Sequence, residues 1–90
     1  MPLVGVIMGS ASDEPVVQDT VKTLEDLGID YEVRVMSAHR TPQRVQDYAV
    51  QARDRGIEVL TAAAGGSAAL GGVLASWTTL PVIGIPLASS

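Results

Sequence analysis

Ninety residues, 47% of them apolar, with a formal net charge of −4, describe one small globular domain. The absence of cysteine excludes a disulfide framework and a thiolate zinc site, and a single histidine, His39, excludes a histidine-rich metal site within one chain. The mildly acidic balance excludes a broad nucleic-acid footprint, although one bound phosphate needs only a local arginine or a few backbone N–H groups.

In chain order, Met1-Pro2-Leu3-Val4-Gly5 lacks a basic region and a cleavage site, so it reads as the start of a strand and not as a signal peptide. Leu3 to Met8 is a continuous apolar run, the pattern of a parallel strand covered on both faces. Gly9 to Asp13 turns, and Ser12 or Asp13 is placed to cap the next helix, with Pro15 tolerated in its first turn. Val17, Val21, Leu24 and Leu27 recur at helical spacing and predict one buried stripe, which Gly28 closes.

Ile29 to Val35 alternates in polarity and predicts a strand near the sheet edge. The loop Ser37-Ala38-His39-Arg40 follows. Thr41 is placed to cap a second helix, with Pro42 at its first position. Val45, Tyr48, Ala49 and Ala52 form its inward stripe, Arg53 and Arg55 suit its negative end, and Gly56 stops it. A third strand is predicted over Ile57 to Ala62, a loop over Ala63 to Ser67, a short helix of small residues from about Ala68 to Ser76, and a fourth strand over Val82 to Ile85 between Pro81 and Pro86.

From Val59 to Ser90 there is no charged residue, but Gly65-Gly66, Gly71-Gly72, Pro81 and Pro86 divide the stretch. A membrane span needs about twenty continuous apolar residues, so no membrane segment is expected. Three strand–loop–helix units and a further strand require crossovers, hence an α/β fold with a parallel sheet.

Ser10 to Asp13, Ser37 to Arg40 and Gly65 to Ser67 all follow strands, so they converge on the carboxyl edge of the sheet, where ligands bind in such folds. The first loop offers two hydroxyls and a carboxylate beside helix N–H groups, able to hold a phosphate and ribose hydroxyls. It is neither a Walker motif nor a dinucleotide fingerprint, and by itself it also reads as a plain helix cap. The third loop admits close approach to its backbone, or is simply a flexible turn. Imidazole is the one side chain whose unperturbed charge change falls near neutral pH. One imidazole, one guanidinium, hydroxyls and backbone donors suit proton transfer on a bound anionic or phosphorylated molecule. No serine has a plausible triad, and no carboxylate pair suits glycoside chemistry.

Met8-Gly9-Ser10-Ala11-Ser12-Asp13 together with Val35-Met36-Ser37-Ala38-His39-Arg40-Thr41-Pro42 resembles the 5-(carboxyamino)imidazole ribonucleotide mutase family of purine biosynthesis. Glu32 to Val35, Gly65-Gly66 and Thr79 to Pro86 fit as well, so the resemblance covers nearly the whole chain. It implies a flavodoxin-like three-layer α/β/α sandwich, here with about four strands in the order 2-1-3-4. It implies a cytoplasmic homo-oligomer, an octamer in typical members, acting on a small ribonucleotide, with no metal, no organic cofactor, no nucleic acid and no membrane. The implied reaction moves a carboxyl group from the exocyclic nitrogen to the adjacent ring carbon, with His39 as general acid and base. Ser10 and Arg40 would hold the phosphate and Asp13 the ribose. Ser12 belongs to the same motif, and Ser37, Gly65 and Gly66 would line the pocket around the imidazole ring.

The chain also departs from the family pattern. Mutases usually read Gly-Gly-Ala-Ala-His-Leu-Pro-Gly where this chain has Gly65 to Gly72, so Ala69 replaces a second histidine and Gly71 a proline. A branch that carboxylates aminoimidazole ribonucleotide directly also lacks that histidine but usually has lysine at Arg40, so both branches stay open. Glu14 stands where a tryptophan is common. Typical members continue through further strand–helix units, so residues 1–90 are expected to form one domain lacking the family's C-terminal part, with a last strand short of cover. The competing expectation is a non-catalytic nucleotide-binding or self-assembling module of the same fold.

Overall fold

The computed structural model describes residues 3–65 and 69–88. Four strands, β1 (Leu3–Met8), β2 (Asp30–Val35), β3 (Ile57–Ala64) and β4 (Val82–Pro86), form one sheet, entirely parallel, in the order β2-β1-β3-β4. Between them lie α1 (Glu14–Asp26), α2 (Pro42–Ala52) and α3 (Ala69–Ser76). The expected fold class, strand order and edge position of β2 are therefore found. Among the described residues no helix is long and apolar enough to cross a membrane.

The handedness of crossovers explains the layers. The chain steps from β1 to β2 in one direction, then crosses back over β1 to reach β3 and continues to β4. Right-handed connections put helices on opposite faces when the direction reverses. Accordingly Val4, Val6 and Met8 of β1 pack with Val17 and Val21 of α1 on one face. Ile7 packs on the other face with Val45, Tyr48 and Ala49 of α2 and Leu70 and Leu74 of α3. Residues alternate sides along a strand, so one apolar run serves both layers. Each fully buried Val, Leu or Ile here contributes about 1.5–3 kcal/mol of burial. The reversal falls between β1 and β3, and the carboxyl ends of those strands become the crevice for a ligand.

Several local expectations are corrected. Leu27 does not belong to the buried stripe: α1 stops at Asp26, Gly28 turns the chain with φ 71°, and Leu27 is 67% exposed. Asp13, not Ser12, occupies the cap position before α1, but its side chain does not act as a cap. A 3₁₀ turn over Ala11–Asp13 intervenes, Ser10 caps it by accepting from the Ser12 N–H at 3.3 Å, and Asp13 makes no capping bond. Thr41 is the residue before α2, yet its side chain makes no capping bond either. Arg53 and Arg55 lie beyond the end of α2 at Ala52; Arg53 donates to Thr79 and Arg55 to Glu32. Strand β3 runs on through Ala63 and Ala64, which were expected in the loop.

One polar cluster ties α2 to the edge strand. Tyr48 donates to a Glu32 carboxylate oxygen at 2.7 Å, and Arg55 donates to both Glu32 oxygens at 2.7 and 3.0 Å. The Arg55 guanidinium also lies over the Tyr48 ring, 5.6 Å from its centre. Burial pushes the Glu32 carboxyl up, but the hydrogen bonds from Tyr48 and Arg55 and the charges of Arg34 and Arg55 outweigh it, leaving it below its ordinary value. Burial, and then the bond to Glu32, pushes the Tyr48 phenol well above its ordinary value.

Candidate ligand site at the sheet's carboxyl edge

The turn after β1, the loop between β2 and α2 and the end of β3 meet at one rim. A dent of about 130 Å³ there is lined by Gly9, Asp13, Ser37, His39, Gly65 and Ala69 among others. A second, of about 240 Å³, adjoins it through Gly9 and Ser37 and is lined by Arg40, Thr41 and Arg44. Wider hollows exist, including one of about 420 Å³ beside Arg53, Trp77 and Thr79 at the far end of α2. Volume alone does not mark a site; the small dent is where the switch point of the sheet and the only histidine coincide.

The loop carrying His39 is closed by hydroxyls. The Ser37 hydroxyl oxygen accepts from the His39 N–H at 3.2 Å and the Arg40 N–H at 3.1 Å. A hydroxyl has two lone pairs and one proton. With two N–H groups on its oxygen, Ser37 is left to act as a donor, a role suited to an anionic or carbonyl oxygen. Thr41 Oγ1 accepts from the Ser37 N–H at 2.8 Å and donates to the Ser37 carbonyl at 3.1 Å. Arg40 leans toward the first loop, its guanidinium 3.4 Å from the Gly9 carbonyl oxygen.

Of the residues the sequence nominates, Asp13, Ser37, His39 and Gly65 line the dent together, and Arg40 lies in the adjoining one. Ser10 lines neither; its hydroxyl holds the first turn, bonded to the Ser12 hydroxyl at 2.9 Å. Ser12 itself borders a separate hollow with Glu14 and Gln18 on the outer side of α1. Gly66 lies outside the described residues, as do Ser67 and Ala68. One neighbour of the site escaped the sequence reading. Arg44, in the first turn of α2, lines the second dent together with Arg40 of the preceding loop. Ala69, already singled out in the sequence, lines the small dent together with His39.

The rim gathers the cations Arg40 and Arg44 beside His39 in a chain that is acidic overall. Among the described residues no group of three or more His, Cys, Asp or Glu side chains comes together as a metal site would require. The arrangement can hold an anion at the arginine dent and present an imidazole to a neighbouring atom.

The family model of AIR carboxylase matches residues 3–90. An N5-carboxyaminoimidazole ribonucleotide mutase of Pyrococcus abyssi is 58% identical over 89 residues, which are 99% of this chain and 51% of that protein. One of Thermotoga maritima is 57% identical over 90 residues, all of this chain and 53% of that protein. The crystal structure of Treponema denticola PurE superposes with a TM-score of 0.87 at 29% identity, over 99% of this chain and 57% of that one. The chain thus spans about half the length of the curated relatives it matches.

Proposed function

The chain belongs to the AIR carboxylase family, and from that premise we propose that it carries the acid–base half-site of a mutase acting on N5-carboxyaminoimidazole ribonucleotide in purine biosynthesis. The reading rests on one observation above all: His39 shares a dent with Asp13, Ser37 and Gly65, beside a second dent that holds Arg40.

In this scheme protonated His39 gives its proton to the exocyclic nitrogen as the N–CO₂ bond breaks, releasing carbon dioxide. The neighbouring ring carbon attacks that carbon dioxide and forms the new C–C bond. Neutral His39 then removes the proton from the same ring carbon, which restores the aromatic ring and returns the imidazole to its starting charge. Arg40 pairs with the substrate phosphate, and the Ser37 hydroxyl donates to an oxygen of the migrating carboxyl group. Asp13 accepts from ribose hydroxyls. Ser10 acts by shaping the first turn, with Ser12 as its hydrogen-bond partner, and Gly65, which lines the dent, leaves room for the ring. No step calls on a metal or an organic cofactor, and the working location is the cytoplasm.

Ligand pockets generally enclose about 300–1,000 Å³. A dent of about 130 Å³ cannot enclose a ribonucleotide. Carbon dioxide released there would escape unless further polypeptide closed the site, so the working form is a homo-oligomer whose other copies, or other parts of the protein, complete the wall. The same openness supports a second reading, in which this chain alone binds the nucleotide without turning it over. The deciding experiment adds carboxyaminoimidazole ribonucleotide and follows the ultraviolet spectrum. Conversion above the spontaneous background supports the mutase. Saturable binding of aminoimidazole ribonucleotide without conversion supports the binding module.

A further inference from the structure

We propose that Thr41 is the positioning residue for His39, a role that rests on the reading of His39 as the acid–base group. His39 is exposed, and among the described residues its ring makes no hydrogen bond. A catalytic base is ordinarily aimed by a third group bonded to its far side. No such group is found here among the described residues, so the aim of the imidazole is set by the backbone that carries it.

That backbone is held by two hydroxyls, and Thr41 holds the residue that carries the other. Thr41 uses its hydroxyl twice on Ser37, accepting from the N–H at 2.8 Å and donating to the carbonyl at 3.1 Å, while its own N–H reaches the same carbonyl at 2.9 Å. Ser37 in turn receives the N–H groups of His39 and Arg40 on its hydroxyl oxygen. Residues 37–41 are thereby a closed ring with His39 at its apex. The hydroxyl is spent on the loop although Thr41 stands directly before α2, where a threonine would ordinarily cap the helix. A cap would steady the helix; the observed bonds steady the loop that points at the ligand site. Displacement of a reacting group by about 1 Å can cost on the order of a hundredfold in rate.

The test compares Thr41→Val, which keeps the shape and removes the hydroxyl, with Thr41→Ser, which keeps the hydroxyl. Because His39 is the sole histidine, its Cε1–H proton gives a single magnetic resonance signal that reports on the apex without any need for turnover. In the valine variant the Ser37 amide is expected to exchange about tenfold faster, the loss of one hydrogen bond. The imidazole signal moves toward the position of free histidine, and kcat falls about tenfold to a hundredfold with KM little changed. Serine restores all three. Thr41→Ala replaces the valine variant if circular dichroism shows that the latter does not fold. An unchanged Ser37 amide and imidazole signal in the hydroxyl-free variant overturns the proposal, as does a serine variant as impaired as valine. If the parent chain shows no turnover, the mutase reading fails, and exchange with the imidazole signal still decides the role of Thr41.

Discussion

Tyr48 lies across Gly5 so closely that a Cβ built on the glycine would stand 2.6 Å from the phenol oxygen and 2.8 Å from Cδ2 of Leu60. Gly5 sits in the middle of β1, the strand that α1 and α2 sandwich. Its missing side chain is what lets Tyr48 reach over the sheet to Glu32. Gly5→Ala is therefore expected to destabilise the fold by about 1–3 kcal/mol, the usual cost of overpacking. Urea denaturation checks this, and a midpoint unchanged or raised would contradict it. The double variant Gly5→Ala with Tyr48→Phe should recover part of the loss, because the nearest clashing atom is the phenol oxygen.

The Tyr48–Glu32–Arg55 cluster gives the stability a pH profile. The Glu32 carboxyl lies below its ordinary 4.5 in the folded chain, so its contribution is complete above that pH and is lost as pH falls through the lower folded value. The Tyr48 phenol lies above its ordinary 10.0, so its contribution is complete below pH 10 and is lost as pH rises through the higher folded value. Urea midpoints from this cluster are expected to be flat between about pH 5 and 9 and to fall on both sides. Tyr48→Phe should remove most of the alkaline fall and lower the plateau by about 1 kcal/mol, the worth of one hydrogen bond. An alkaline limb identical in the two proteins would refute the assignment.

The strands and most of the inward faces of the first two helices were legible because each depends on neighbours in sequence. The apolar run Leu3 to Met8 is β1, and Gly28 and Gly56, with φ 71° and 91°, turn the chain after α1 and α2. The inward stripe Val45, Tyr48, Ala49 and Ala52 is buried as periodicity predicts. Leu27 misled because spacing cannot tell where a helix stops, and one residue past the stop the same side chain faces water. The caps misled because a serine or threonine oxygen has several N–H groups within reach. Ser10 chose a 3₁₀ turn and Thr41 chose Ser37, and the composition of the loops does not favour either choice. The Glu32 cluster joins β2 to α2 and to the segment beyond it, and no local pattern carries such a contact. Convergence of the three loops followed from parallel topology alone; the roles of Asp13, Ser37, His39 and Arg40 came from the family resemblance.

Replacement of His39 by glutamine tests the proton-transfer role. The residue is exposed, so the unfolding midpoint should not move beyond about 0.5 kcal/mol, the usual range for a surface substitution. Loss of general acid–base catalysis should lower kcat by about 10²–10⁴-fold. Affinity for aminoimidazole ribonucleotide, measured calorimetrically, should change little. A His39→Gln chain that retains more than half of its turnover would remove His39 from the mechanism.

The arginine dent makes a separate prediction about affinity. Arg40→Ala removes a guanidinium from the proposed phosphate position, and charge-assisted bonds are worth about 1.5–3 kcal/mol, so ribonucleotide binding should weaken roughly 10- to 150-fold. Arg44→Ala, in the first turn of α2, should weaken it less, by about fivefold, because Arg40 is the one that reaches the shared wall at the Gly9 carbonyl. Raising the salt concentration should narrow both differences. Equal binding of the ribonucleotide and its dephosphorylated nucleoside to the parent chain would show that neither arginine reads a phosphate.

The outer side of β4 carries the prediction about assembly. Among the described residues β4 is an edge strand, paired only with β3, and its Ile83 is 54% exposed, with Trp77 nearby in sequence at 47%. An edge with apolar side chains and unpaired backbone groups is a template for association. Under the mutase reading, the open dent at the rim also takes a wall from elsewhere. The chain is therefore expected to sediment as an oligomer at micromolar concentration. Ile83→Lys, which places a charge on that edge, should shift it toward monomer. Because the side chain is already more than half exposed, far-ultraviolet circular dichroism should stay the same. Turnover, if it depends on a neighbour's wall, should fall along with the oligomer and recover at higher protein concentration. A parent chain that sediments as a folded monomer and still converts substrate would show that the site is complete in one copy.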